Sequence, residues 1–284
     1  MVWQCIKLVK YEKRRFFVMK AEIEIGSKKF NVDFSKGKDL SIPLDFNNLQ
    51  PNTYGVDIAT AKAYKDDQFI GDTRSGGPCN FETLNFTPHC NGTHTECIGH
   101  LTDKRVNILS SLEEEMIPST VITIIPKKSI DSYVPDLEES DLLITKKDLV
   151  DKLLLFDNNF YKAIVIRTLP NKKDKIYRDY MQHKPPFFSI EAMEYIVSIG
   201  VTHLLVDIPS VDRLFDDGNL TAHNIFWDTK LKNYNQSTKS KTITEMIYVP
   251  DCISDGSYLL NLQIPAFLSD AAPSRPILYE LNEI

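Results

Sequence analysis

No stretch of these 284 residues approaches the roughly 18 consecutive apolar positions of a membrane-spanning helix, so no membrane association of that kind is expected. A surplus of basic charge is also missing. Lys and Arg number 33 against 39 Asp and Glu, giving a net charge of −6, and that balance argues against a general affinity for nucleic acid or anionic lipid. The cysteines do not form a framework. Cys5, Cys79, Cys90, Cys97 and Cys252 are odd in number and two of them crowd into one short segment, which suits a reducing cytoplasm better than a disulfide scaffold. There is no internal repeat and no low-complexity tract. Met1 to Lys20 is basic but has neither a long apolar core nor a small-residue cleavage site, so it does not read as a secretory signal. Residues 1–20 are expected to be a basic extension, disordered or foreign to the native protein, and residues 21–284 a single domain. Without a secretory signal, the sequon Asn91-Gly92-Thr93 carries no weight.

What remains is ordinary globular composition, 42% hydrophobic and 25% charged, enough to build a core. Val18 to Val32 alternates as a hairpin around Gly26-Ser27. Residues 45–80 are turn-rich and read as a long excursion, a lid or a dimer arm. Phe81 to Phe86 alternates as a strand. Val121 to Ile125, Ala163 to Thr168 and His203 to Asp207 read as buried strands. Between them lie a helical pattern over Lys146 to Leu155 and a helix opened by Ser189 and closed at Gly200. Ser257 to Ile264 and Pro276 to Leu281 look like closing strands. Strands alternating with helices predict an α/β architecture.

The chemistry concentrates in Cys90-Asn91-Gly92-Thr93-His94-Thr95-Glu96-Cys97-Ile98-Gly99-His100. Two imidazoles, a carboxylate and two thiols in eleven residues are the donors of a first-row metal site. His94 and Glu96 are two apart, and in an extended chain such residues share a face. Cys90 has the same parity and His89 the opposite one, so His89 is expected to point away. Gly92 is expected to turn the backbone sharply so that Cys90 and His94 converge. A Thr93 hydroxyl can fix a neighbouring ligand. Against this, Cys97 reads as a small buried hydrophobe, His183 and His203 as structural or exposed, Asp207 as a turn residue, and Glu113-Glu114-Glu115 as a solvated face.

The run resembles H-x-G-T-H-x-D-x-P-x-H of the cyclase family, which includes bacterial kynurenine formamidase and isatin hydrolase. Gly92-Thr93-His94 and His100 match in place, Glu96 stands for Asp, and Cys90 for the first His. Asp39-Leu40-Ser41-Ile42-Pro43-Leu44 resembles the family's D-L-S-x-x-L opening. The resemblance implies a swivelling β/β/α fold with mixed sheets and flanking helices. It also implies an arylformamidase-like, metal-dependent hydrolase that cleaves a linear or cyclic amide C–N bond. N-formylkynurenine, an intermediate of tryptophan catabolism, is the family's default substrate. On this reading His94, Glu96 and Cys90 hold a divalent metal, zinc first and manganese second. His100 and Glu245 are catalytic, and Thr93 and His223 bind substrate or support the ligands. The partners implied are a small amide or lactam and a second copy of the chain in a homodimer. Two other readings stand beside it: a relative that has lost its metal and only binds, and a metal-dependent lyase or dehydratase.

Overall fold

The computed structural model describes residues 18–284; the N-terminal extension of residues 1–20 lies almost wholly outside them. The chain enters as a hairpin of β1 (Lys20–Ile25) and β2 (Lys28–Asp33), followed by β3 (Lys38–Asp39). A second hairpin, β4 (Thr60–Ala63) with β5 (Glu82–Asn85), stands outside the main sheet. The one-turn helix α1 (Pro88–Asn91) leads into β6 (His94–Cys97), and β7 (Met116–Ile124) follows. Then come β8 (Leu143–Ile144), α2 (Lys146–Leu153), β9 (Ala163–Thr168), β10 (Phe187–Phe188), α3 (Ile190–Ser198) and β11 (His203–Val206). The last part holds α4 (Thr221–Trp227), β12 (Thr229–Lys230), β13 (Asn233–Tyr234) and β14 (Thr242–Glu245). It closes with β15 (Gly256–Asn261), β16 (Ala271–Pro273) and β17 (Ile277–Glu283).

One large mixed sheet runs β1-β2-β17-β15-β7-β9-β11-β14-β6-β16, with β3 on β17. The centre, β7, β9, β11 and β14, is parallel, and the flanks are antiparallel. Every residue of β9 is buried, because its two faces meet two apolar layers. Ile164 and Ile166 join Leu149 and Leu153 of α2, Met193 and Ile196 of α3, and Phe226 and Trp227 of α4. Ala163 and Val165 join Ile117, Leu205, Leu260 and Leu278 on the other side. A strand covered on both faces needs no polar alternation, which is why its sequence reads as an unbroken apolar run.

Local chemistry places the helices. The Ser189 side chain accepts from Ala192 N at 3.1 Å and starts α3; Gly200, with φ of 79°, ends the segment. Thr145 caps α2 by accepting from Asp148 N. Asp207, read from sequence as a turn residue, is instead a buried anchor. It accepts from Thr168 N at 2.9 Å, from Thr168 Oγ1 at 2.7 Å and from Lys175 Nζ at 2.6 Å, tying the ends of β9 and β11 together.

The excursion over residues 45–80 folds back on its own chain. Asn52 N donates to Arg178 O, Tyr180 N to Asn52 O, and Thr53 N to Cys90 O. That pins the stretch before the second hairpin against α1. Among the described residues, no helix is long and apolar enough to cross a membrane, and Cys79, Cys90, Cys97 and Cys252 are free thiols.

Candidate active site

The site forms where β6 lies antiparallel to β14. The register sets Glu245 directly opposite His94 and Glu96 opposite Ile243. Facing residues on adjacent strands sit close enough for their side chains to meet, and Nε2 of His94 lies 3.5 Å from Oε2 of Glu245. His94 and Glu96 share a side of β6, as their spacing predicts. Thr93 secures the arrangement from behind: its hydroxyl donates to Met246 O at 2.5 Å and accepts from Ile42 N at 2.8 Å. It therefore ties the D-L-S-x-x-L segment, the approach to β6 and the exit of β14 to one atom.

Around Glu96, four histidines converge. Oε2 of Glu96 is 2.9 Å from His89 Nδ1 and 4.0 Å from His100 Nδ1; Oε1 is 2.8 Å from His223 Nε2. His223 Nε2 also lies 3.7 Å from Oε1 of Glu245, which accepts from Val211 N. Asp270, which precedes β16, closes the ring: its Oδ2 is 2.9 Å from His89 Nε2 and 3.5 Å from His100 Nδ1. These groups open into a cleft of about 600 Å³ that also reaches Tyr54, Cys90, Ser210, Leu214 and Phe215.

Each imidazole is oriented by its other nitrogen. Nδ1 of His94 is 2.9 Å from Gly92 O, and a carbonyl can only accept, so that nitrogen carries the proton. Nε2 of His94 is fully buried and has no hydrogen-bond partner, with Oε2 of Glu245 3.5 Å away. A buried imidazole nitrogen left unmatched among carboxylates is a group suited to ligate a metal. Asp212 holds His223: its Oδ2 is 2.5 Å from Nδ1, and its two oxygens also accept from Ala222 N and His223 N at the start of α4.

Electrostatics follow the geometry. Burial would raise the pKa of Glu96, but the charges of His100 and His223 and the hydrogen bonds from His223 and His89 hold it well below the usual carboxylate range. Burial opposes a charge on His89, yet hydrogen bonds with Asp270 and Glu96 lift its pKa to about 10. His223 is likewise driven upward, against burial, by Glu96 and Asp212. Burial, with the nearby charge of Glu245, pushes the Cys90 thiol up to about 11.

Several expectations change here. Residues 88–91 are a helical turn, not a strand, so alternation does not govern Cys90 and His89. The turn swings His89 into the cleft, onto Glu96 and Asp270. Among the described residues, three sets of donors each have their ligand atoms within 4.8 Å of one another: His89, His94 and Glu96; Glu96, His223 and Glu245; and His89, His100 and Asp270. Cys90 lines the cleft but joins none of them. Gly92 does not turn the chain, because its φ of 166° is extended and a Cβ there would meet only Leu44, at 3.9 Å. The glycine that matters is Gly99, where a Cβ would lie 2.0 Å from Val106 O. That close approach seats the 3-10 turn Ile98–His100 against the core and sets where His100 emerges. Glu245 stands with His94 and His223. Cys97 is buried in the core, as its apolar reading implied.

Sequence reasoning passed over Asp212 and Asp270. Asp212 sits ten residues before Ala222 in a polar loop, and Asp270 in a Ser-Asp pair ahead of a three-residue strand. Neither lies in a periodic pattern that would mark it.

The Cyclase family model matches residues 38–213, and the chain belongs to that family. No curated protein sequence matches it. Among solved structures, one described as a potential metal-dependent hydrolase with cyclase activity aligns at 15% identity. It covers 86% of this chain and 98% of its own, with a TM-score of 0.56. A predicted metal-dependent hydrolase from Bacillus stearothermophilus aligns at 16% identity over 86% of this chain and 98% of its own, with a TM-score of 0.55. An isatin hydrolase bound to the product analogue thioisatinate aligns at 13% identity over 87% and 93%, with a TM-score of 0.56. The mixed α/β fold is that of the cyclase family.

Proposed function

We propose that this chain is a metal-dependent hydrolase that cleaves the C–N bond of a small linear or cyclic amide, an arylformamidase-like activity. The observation that carries the reading is the buried, unpartnered Nε2 of His94 among Glu96, Glu245, His89 and His223. The donor set is nitrogen and oxygen, which suits zinc first and manganese second. His94, Glu96 and His89 would hold the ion, with His223 and Glu245 completing the set across Glu96. A divalent ion bound there supplies a water acidic enough to ionise near neutral pH and polarises a carbonyl oxygen.

The chain's own groups do the rest. Gly92 O and Asp212 keep Nε2 of His94 turned toward Glu245 and Nε2 of His223 turned toward Glu96. His100 is half-buried at the edge of the cleft, with Asp270 beside its Nδ1. That leaves Nε2 to deliver a proton to the departing nitrogen of the amide. The second reading, binding without chemistry, is disfavoured by the completeness of the donor set: loss of Cys90 as a ligand is made good by His89.

An aromatic patch of Tyr64, Phe69 and Phe81, with ring centroids 5.1 to 6.3 Å apart, lies on the second hairpin. It supports the homodimer implied by the resemblance. Tyr54, from the same excursion, lines its own chain's cleft rather than reaching for a partner's. The cytoplasm remains the proposed location, on the free thiols.

The activity is tested by offering the purified protein aryl formamides, lactams and lactones with zinc or manganese present, after chelation, and after the ion is restored. Hydrolysis that disappears on chelation and returns with the ion supports the reading. Hydrolysis indifferent to chelation contradicts it.

A further inference from the structure

The floor of the cleft is polar, but its mouth is built differently. Tyr54 and Phe215 come from separate loops and meet edge to face, with ring centroids 6.4 Å apart at 85°. Both are unusually open for large aromatic residues, 43% and 63% exposed. Leu214, Leu220 and Pro209 continue the apolar wall.

The backbone beneath these side chains is strained. Among the described residues, eight that are not glycine have positive φ. Three of them line this cleft: Tyr54 at 56°, Asp217 at 57° and Leu220 at 46°. A fourth, Met246 at 52°, follows Glu245. For bulky side chains this region is a true outlier that costs on the order of 1–3 kcal/mol, and it persists only where the surroundings enforce it. The enforcement is visible. The buried carboxylate of Asp216 accepts from Gly218 N at 3.0 Å and from Leu220 N at 2.6 Å. On the other loop, the hydrogen bonds of Asn52 and Thr53 to Arg178, Tyr180 and Cys90 fix the approach to Tyr54. The mouth is preformed rather than assembled on binding, which lowers the entropy lost when a ligand docks.

At the rim its charge is one-sided. Among the described residues neither Lys nor Arg lines the cleft and the imidazoles belong to its floor, while Asp217 stands exposed at the rim with Asp216 behind it. The nearest guanidinium on that loop is committed elsewhere: Arg213 donates to Asp136 O, Asp141 Oδ2 and Phe215 O.

We propose that this mouth selects substrates by charge. An aromatic ring packs on the Tyr54–Phe215 pair, and a neutral or cationic substituent is accepted at Asp217, whereas an anionic one is refused. The proposal rests on the hydrolase reading of the floor, and its determinants are Asp217 for charge and Phe215 for the apolar platform. A carboxylate held near Asp217 finds no Lys or Arg among the described residues that line the cleft, and a unit charge several ångströms away in a half-wet cleft shifts affinity by about fivefold to tenfold.

The test is equilibrium binding, by calorimetry, of three matched probes to the ion-loaded protein: benzamide with a para-methyl, a para-aminomethyl or a para-carboxyl group. The carboxyl probe should bind at least about fivefold more weakly than the methyl probe, and the aminomethyl probe at least as tightly as the methyl one. Asp217→Asn should bring the three together, and Phe215→Ala should weaken all three by a similar factor. Equal binding of the carboxyl and methyl probes overturns the proposal. So does a gap that survives Asp217→Asn, or no binding by any probe. Charge-selective binding with no hydrolysis of any amide would leave this selectivity standing and remove the hydrolase reading; hydrolysis with no charge preference would do the reverse.

Discussion

Nδ1 of His89 lies 2.9 Å from Oε2 of Glu96, while the thiol of the adjacent Cys90 joins none of the converging donor sets. The two neighbours therefore exchange the roles that their spacing predicts. His89→Ala should weaken zinc binding by about a hundredfold or more, the scale seen when a metal site loses an orienting or coordinating partner. Cys90→Ser should leave affinity within about threefold, since its thiol joins none of the converging donor sets. Competition against a chromophoric chelator measures both. A large loss in Cys90→Ser with none in His89→Ala would reinstate the thiol as ligand.

That exchange shows where the sequence was readable and where it was not. His94, Glu96 and His100 were legible because they sit in one run, and His94 with Glu96 obeys strand spacing. The buried strands β9 and β11 and the Ser189 cap were legible for the same local reason. The position of His89 depends on a single helical turn between Thr87 and Gly92, four residues that no hydrophobic period announces. Asp270 and Asp212 reach the site only through the sheet order, which carries β16 beside β6, and through the start of α4. The contact of Asp270 with His89 spans 181 residues of chain, beyond what local patterns encode, and Asp212, ten residues before Ala222, lies in a loop with no period to mark it.

Asp212 holds His223 at Nδ1 and also caps α4, so its two effects should separate. Asp212→Asn should lower metal affinity by about tenfold to a hundredfold. Its cost in stability should be smaller, about 1 kcal/mol, the usual loss at a weakened helix start. Tyr133→Phe, which removes only the hydroxyl donated to Asp212 at 2.8 Å, should leave metal affinity close to that of the native protein. Metal titration and urea unfolding of the two variants decide the point. An Asp212→Asn protein that is destabilised yet binds metal normally would reduce Asp212 to a cap.

His203 is buried far from the cleft, with Nδ1 2.9 Å from Thr242 Oγ1, and burial depresses its pKa to about 4. The sign follows from linkage. A depressed group stabilises the fold above its unfolded pKa, near 6.5, and that contribution is lost as pH falls toward the folded value. Between about pH 6.5 and pH 4 the native protein should lose on the order of 3 kcal/mol through this residue alone. His203→Asn should be less stable at pH 7 but should show a flatter decline over that window. Urea unfolding at several pH values measures it, and identical slopes for both proteins would refute the assignment.

His100 is the group placed to move a proton, with Asp270 at its Nδ1. His100→Asn should cut turnover by about 10²–10⁴, the customary weight of a positioned acid or base, while metal content stays near the native level. Loss of the metal in that variant would make His100 a ligand instead.

The central claim is that the donors around Glu96 bind a catalytic divalent ion, and metal stoichiometry of the purified protein tests it most directly. Glu96 and His89 each belong to two of the three converging sets, and Glu96 is the residue shared by the set of His94 and the set of His223, so Glu96→Gln should damage the site heavily while keeping side-chain volume. The account predicts that the native protein carries at least about one zinc or manganese per chain, and that Glu96→Gln remains folded but retains almost none. Native protein that takes up no divalent ion when zinc or manganese is supplied, or Glu96→Gln protein that retains the native complement, would contradict it.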